Sequence, residues 1–457
     1  MKKITLLIAL ISLSGISQVT DIAKGGEYKL NPSKIACIND NTKAKIAIQI
    51  QKSRLKLRKQ GKLKSKKTAE KPSFIWPVRK NAQTPYNNSW AVSNFLDYDT
   101  NFPNKLKDYN CGTRTYDTQD GYNHNGLDIY TWPFSWYQFQ NNMSEVIAAA
   151  AGTIIFKEDG KPDMNCGFSN LTWNAVYIEH SDGSVAWYGH LKTGTLTNKN
   201  VGDSVAEGEY LGVIGSSGSS TGPHLHFEVY DNNNNLVDPF TGPCNTAASW
   251  WKNQPDYYSP NINTVLTHNS APEFNTCPQT ETTNIKNEFL PNTKVILASY
   301  FKDQKAGTSS NYNLTGPGGF SRSWSKSFTS NFDSSYWFWT MKNLNTIGEY
   351  TFTVTYEGQT VAHKFNVVNV LNVTAENIKA FKILTNPVKN VLKINTPNNT
   401  NIKDYNTIIY NNLGQEMYKN NALTTNLDVQ FLNKGLYIVK IYSKLNYSSK
   451  SIKIIKE

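Results

Sequence analysis

The chain has 457 residues, 39% of them hydrophobic and 12% aromatic, which is enough for roughly two to four folded domains and excludes a disordered chain. Its formal charge of +12 is uneven: residues 1–75 hold 17 Lys/Arg against 4 Asp/Glu, residues 379–457 hold 12 against 4, and the stretch between is acidic. Basic ends around an acidic centre exclude a nucleic-acid-binding face as the reason for the charge, and no nucleic-acid partner is expected.

In chain order, Lys2-Lys3 precede an apolar run from Ile4 to Ile11 and small residues up to Ser17. Residues 1–17 therefore read as a secretory signal. The run is too short and too diluted by Ser and Gly to span a bilayer, so no membrane span is expected once the signal is removed. Residues 18–75 are dense in Lys and Arg with little apolar periodicity, and read as a basic pro-segment or solvated linker.

Residues 76–250 carry short apolar runs such as Gly152–Phe156, Ala175–Glu179 and Tyr210–Ile214, broken by Gly, Asn and Asp. This spacing predicts antiparallel β-structure. Residues 251–274 read as a linker. In the block 275–370, Tyr350, Phe352, Val354 and Tyr356 alternate with threonines before a Glu357-Gly358 turn. That pattern predicts a half-buried hairpin in an immunoglobulin-like β-sandwich. Residues 379–457 read as a third, small β-unit. The fold class expected is mainly β throughout.

Five cysteines lie far apart with no Cys-x-x-Cys spacing, so disulfides are expected in an exported chain. Cys111–Cys166 and Cys244–Cys277 are the pairings expected, with Cys37 left over.

Five residues in the first β block suggest a metal centre. They are His124 and Asp128 in His124-Asn125-Gly126-Leu127-Asp128, His190 in Tyr188-Gly189-His190-Leu191, and His224 and His226 in Gly222-Pro223-His224-Leu225-His226-Phe227-Glu228. Imidazole and carboxylate are common zinc ligands, and a catalytic zinc takes three protein ligands and leaves one position open. Residues two apart on a strand share a face, so His224 and His226 point the same way while Leu225 turns into the core. His124 and Asp128 meet only if the chain curls between them, which Gly126 permits. The stretch Gly212–Pro223 reads as a flexible polar loop whose small residues could form a groove wall. His180, His268 and His363 have no evident partners and read as structural. Spacing alone leaves open which of His224 and His226 is a ligand.

These motifs carry a resemblance. Residues 122–240 resemble the lysostaphin-type (LytM-like) zinc metallopeptidases in His-x-Gly-x-Asp at 124–128, Tyr-x-His-Leu at 188–191, Gly202–Gly208, Ser-Thr-Gly-Pro-His-Leu-His-Phe-Glu at 220–228 and Asp238-Pro239. The resemblance implies His124, Asp128 and His226 as ligands of one Zn2+ and His190 and His224 as the catalytic pair. It also implies hydrolysis of peptide bonds in peptidoglycan cross-bridges or stem peptides by a zinc-activated water. Two other readings remain: the same site acting on a Gly-rich extracellular protein such as elastin, and a non-catalytic wall-binding or amidase-activating protein. Between about 95 and 122 the chain is longer than the family's minimum. Residues 379–457 resemble the type IX secretion sorting domain in their opening Asn386-Pro387, the Asn411-x-x-Gly414 turn, the Gly435-Leu436-Tyr437 strand and the Lys-rich end. That likeness implies the type IX secretion machinery as a partner and a secreted or surface-attached protein.

Overall fold

The computed structural model describes residues 22–30, 34–63, 70–169, 171–274, 281–369, 378, 380–396, 400–444 and 449–457. The signal expected at 1–17 and Cys277 lie outside them. The chain divides into two compact units, Met1–Val367 and Val368–Glu457.

The first unit is mainly antiparallel β, as alternating apolar runs require. It begins with β1 (Lys24–Glu27) and α1 (Asp40–Lys59). Next come β2 (Val78–Lys80), β3 (Trp90–Asn94), β4 (Leu127–Thr131), α2 (Ser135–Gln140), β5 (Ser144–Ile147) and β6 (Gly152–Glu158). Strands β7 (Ala175–Glu179), β8 (Val185–Gly189), β9 (Ser204–Val205), β10 (Tyr210–Val213), β11 (His224–Tyr230) and β12 (Leu236–Val237) follow. The main sheet has the order β3-β4-β11-β8-β7-β6-β9, with β12 paired to β11, and β10-β5-β2 form a second, smaller sheet.

The main sheet is buried on both faces, which the period of two makes legible. Val176, Ile178, Ala186, Tyr188, Leu225, Phe227 and Val229 point into one core. Ala175, Tyr177, Val185 and Trp187 point the other way and are covered by Ile46, Ile50 and Leu57 of α1. The basic stretch is therefore no solvated linker. Its apolar residues are few but fall on one helical stripe, and each buried one contributes about 1.5–3 kcal/mol. Asn39 caps the helix by accepting from the Thr42 amide at 2.8 Å, and Lys56, Arg58 and Lys59 occupy its last turn, complementing the helix dipole. Arg54 and Arg58 pair with the buried Glu179, so part of the charge that looked solvated is used in docking.

A β-sandwich completes this unit. Residues 251–274 are not a linker: β13 (Asn261–His268) runs buried along β15 (Val295–Gln304). The Asn- and Pro-rich flanks hide a short strand whose Ile262 and Val265 enter the sandwich core. With β14 (Glu288–Phe289), β16 (Ser309–Thr315), β17 (Ser321–Ser327), β18 (Phe332–Met341), β19 (Gly348–Tyr356) and β20 (Gln359–Val367) it builds two sheets, β1-β18-β15-β13 and β14-β20-β19-β16-β17. The N-terminal β1 is thus an edge strand of the sandwich. The expected β19–β20 hairpin is present, with Glu357 and Gly358 at positive φ.

The sandwich docks against the main-sheet part of this unit through polar contacts. Arg114, in the long 95–122 region, pairs with Asp303 at 2.8 Å and Asp333 at 3.2 Å. The Trp132 indole donates to the Phe301 carbonyl at 3.1 Å.

The disulfides correct the expected pairing: Cys111 is joined to Cys244, Cys166 is also disulfide-bonded, and Cys37 is a buried free thiol. Sequence separation gives no hint of this, because Cys111 and Cys244, 133 positions apart, are brought together only by the folded chain.

The second unit is a small two-sheet structure. Strands 405–411, 416–420, 435–443 and 449–456 form one sheet, and 382–383, 391–395 and 426–428 the other. Leu392, Ile409, Val439, Ile441 and Ile454 lie in its core. Asn411 closes its turn by accepting from the Leu413 and Gln415 amides.

Candidate functional site

Strand β11 lies between β4 and β8, with His226 opposite both Asp128 and Gly189. This register alone brings the three histidine-bearing stretches to one end of one sheet. His224 and His226 project from the same face, opposite Leu225, and share that face with Glu228.

All five residues singled out in the sequence come together there. His226 Nδ1 lies 2.8 Å from Asp128 Oδ1 and 3.3 Å from His124 Nε2. His124 Nε2 is 3.0 Å from Asp128 Oδ2, and His224 Nε2 is 3.6 Å from Asp128 Oδ1. His190 packs against His224 at a tilt, with ring centroids 4.4 Å apart. Every one of these side chains is buried.

Each imidazole is oriented by its other nitrogen, an arrangement typical of metal-binding histidines. His124 Nδ1 donates to the Phe95 carbonyl at 2.7 Å, His190 Nδ1 to the Ser217 carbonyl at 2.6 Å, and His224 Nδ1 to the Gly222 carbonyl at 2.8 Å. His226 is turned the other way: its Nε2 donates to Glu228 Oε1 at 2.9 Å, which leaves Nδ1 facing Asp128. The Nε2 atoms of His190 and His224 are buried and have no hydrogen-bond partner among the described residues. Asp128 is steadied by the Asn94 amide, which donates to its Oδ2 at 3.0 Å.

Electrostatics follow the geometry. Burial works against a charge on Asp128, but His124 and His224 outweigh it and hold the carboxyl well below its usual range. Burial pushes His190 down, and neighbouring His224 adds to the effect, so its ring favours the neutral form. Burial also opposes charge on His224, yet Asp128 lifts it above the ordinary imidazole value.

Gly126 is required for a reason other than the expected curl. A Cβ there would sit 2.7 Å from the Phe227 carbonyl oxygen and 2.9 Å from His226 Nε2, so only glycine lets this strand approach the imidazole. The 212–223 stretch is packed and not an open loop: Ser216, Ser217, Ser219 and Ser220 are buried. The Ser217 hydroxyl donates to the Leu191 carbonyl at 2.9 Å, which fixes the carbonyl that orients His190.

The remaining histidines are structural, and all three have partners the sequence does not reveal. His268 lies in β13, donates from Nδ1 to the Thr283 carbonyl at 2.8 Å and accepts from the Tyr300 hydroxyl at 2.9 Å. His363 Nε2 meets Thr267 and Asn287. His180 Nδ1 donates to the Ala151 carbonyl.

Sequence reasoning missed Glu228, although its place two residues beyond His226 on a strand puts both on one face. It also missed Cys37. The Cys37 Sγ and ligand atoms of His124, Asp128 and His226 all lie within 4.8 Å of one another, and the same thiol forms a second such group with His190 and His224. No motif surrounds Cys37, and its unpaired state was the only signal available.

A model of peptidase family M23 matches residues 123–239. The chain carries an M23 peptidase domain. A model of the secretion system C-terminal sorting domain matches residues 382–457, which points to export and cell-surface attachment. The chain is 39% identical over 84 residues, 18% of its length and 16% of the relative, to DD-carboxypeptidase/endopeptidase Mpg of Neisseria meningitidis serogroup B. It is 32% identical over 166 residues, 35% of this chain and 37% of the relative, to glycyl-glycine endopeptidase ALE-1 of Staphylococcus capitis. The catalytic domain of lysostaphin from Staphylococcus simulans is a similar solved structure, 29% identical over 27% of this chain and 83% of that one, with a TM-score of 0.20. The chain spans well under half the length of these curated relatives. Among the described residues, no helix is long and apolar enough to cross a membrane.

Proposed function

We propose that the chain is an exported zinc endopeptidase that hydrolyses peptide bonds in peptidoglycan cross-bridges or stem peptides. One ion per chain is held by His124 Nε2, His226 Nδ1 and an Asp128 oxygen, and His190 and His224 are the catalytic pair. The observation that carries this reading is the convergence of these three donors beside two buried imidazoles whose Nε2 atoms have no hydrogen-bond partner among the described residues. Two imidazoles and a carboxylate are a donor set that zinc favours, and the M23 family is zinc-dependent.

When bound, the ion supplies Lewis acidity toward the scissile carbonyl and an acidified water. The residues supply the rest. Burial keeps His190 neutral, so its Nε2 can take a proton from the attacking water. His224, raised by Asp128, can hold a proton, donate a hydrogen bond to the developing oxyanion and protonate the leaving amine. The Ser217 and Gly222 carbonyls keep both rings aimed without themselves reacting. Glu228 fixes the tautomer of His226.

Relatives named as acting on peptidoglycan or glycyl-glycine bonds support the substrate class. A non-catalytic wall-binding role is disfavoured because every donor is in place. The test is mass spectrometry of muropeptides released from purified sacculi by the secreted protein, with and without a chelator. New amino termini within stem or cross-bridge peptides, lost on chelation and restored by zinc, are expected. Release of peptides from elastin with intact sacculi would replace this substrate with the Gly-rich protein, and cleavage of neither would overturn the hydrolase reading.

A further inference from the structure

The face of the sheet that bears His224, His226 and Glu228 is the face on which the N-terminal segment lies. Helix α1 covers β7 and β8 with Ile46, Ile50 and Leu57. Lys43 reaches the buried Glu228 at 3.5 Å. On the other side of the centre, Tyr28 stacks on Trp132 with ring centroids 4.2 Å apart, and β1 pairs with β18. Held at both ends, the chain between them carries Cys37 into the histidine cluster.

Cys37 is 5% exposed. Its Sγ is 3.0 Å from the Tyr116 hydroxyl, which donates in turn to the Ile35 carbonyl at 3.0 Å. The sulfur belongs at once to the group formed with His124, Asp128 and His226 and to the group formed with His190 and His224. It therefore stands between the three metal donors and the catalytic pair, where water and the scissile carbonyl would have to enter. The buried Nε2 atoms of His190 and His224, without a hydrogen-bond partner among the described residues, face the same sulfur. A structural cysteine gains nothing from five polar neighbours, since thiols are otherwise buried among apolar groups. Two imidazoles, a carboxylate and a thiolate make up a closed four-ligand zinc site.

We propose that Cys37 is the fourth ligand of the same metal ion and that its thiolate holds the peptidase latent. This rests on the zinc-site reading above and adds its regulation. The thiolate closes the one position that a catalytic site must leave open, and α1 with β1 holds it there. Activation requires the sulfur to leave. The metal–sulfur bond breaks, the thiolate takes a proton from solvent, and the vacated position is free for water. No oxidant is needed.

The experiment loads the intact chain with Co2+ and records its absorption spectrum. Wild type is expected to show a near-ultraviolet sulfur-to-metal band together with visible ligand-field bands, whereas Cys37→Ala keeps the visible bands and loses the near-ultraviolet one. Cys37→Ser serves if the alanine variant fails to fold. Alkylation of the thiol gives a second readout: burial alone protects Cys37 with or without metal, whereas a ligand becomes reactive on chelation. Because latency lowers the competent fraction of enzyme, Cys37→Ala should cleave sacculi at least about tenfold faster than the unprocessed wild type. One bound ion with no sulfur band in wild type, or alkylation indifferent to chelation, would overturn the role of Cys37 and leave the hydrolase reading intact. Failure of both wild type and variant to bind an ion would overturn the hydrolase reading itself.

Discussion

The peptidase sheet and the β-sandwich of the first unit both bury histidines, and their contrast separates a site from a scaffold. In the sandwich, His268 spends both ring nitrogens on the protein, one on the Thr283 carbonyl and one on the Tyr300 hydroxyl. At the centre of the peptidase sheet, each ring spends one nitrogen on a carbonyl or on Glu228 and turns the other toward a shared point. His180 shows that a spare nitrogen alone is not enough: its Nε2 also lacks a hydrogen-bond partner, but among the described residues no group of metal-binding donors includes it. The mark of the site is convergence of lone pairs, not burial or spacing.

Breaking that convergence should have the largest effect. His226→Ala removes the donor that meets both His124 and Asp128, and it is expected to abolish zinc binding and lower turnover by at least about 10^3-fold, given what a metal supplies. Zinc content and muropeptide release measured on the same sample check both. His224→Ala or His190→Ala should keep one zinc and lose about 10^2–10^4-fold in turnover, the range for a general acid or base. Glu228→Gln tests the tautomer: a loosened His226 should weaken zinc affinity about 10–100-fold, read by competition with a chelator.

The smallest effect sharpens the other half of the contrast. Burial pushes His268 down to about 3, while in the unfolded chain it titrates near the ordinary value of about 6.5. A depressed folded pKa means that the unfolded state binds more protons between these values. Its contribution is therefore fully present above about pH 6.5 and lost as pH falls toward 3, amounting to about 2 kcal/mol by pH 5. His268→Asn should lower the melting temperature at pH 7 but show a shallower fall on acidification than wild type. An equally steep fall would show that His268 does not titrate on unfolding.

Much of the fold was legible because strands with one face inward alternate visibly, as in 350–356. The helix at 40–59 was not, because its apolar stripe is thin and lies among basic residues, of which Lys43, Arg54 and Arg58 find buried carboxylates only after folding. Strand 261–268 was masked by turn-forming neighbours. Within the candidate site, the five residues named from the sequence sit at one end of one sheet, and the register of β11 explains why. Spacing could not rank His224 against His226. In the structure His226 meets both His124 and Asp128, which supports the proposed ligand set. Cys37 was illegible because nothing local marks it, and its position depends on two anchors, β1 and α1, that contact different parts of the fold.

The most direct test of the account is anomalous diffraction at the zinc edge from crystals of the zinc-loaded chain. A single peak within about 2.0–2.2 Å of His124 Nε2, His226 Nδ1 and an Asp128 oxygen is expected. A peak seated on His190 and His224 without those three, or no peak at all, would contradict it.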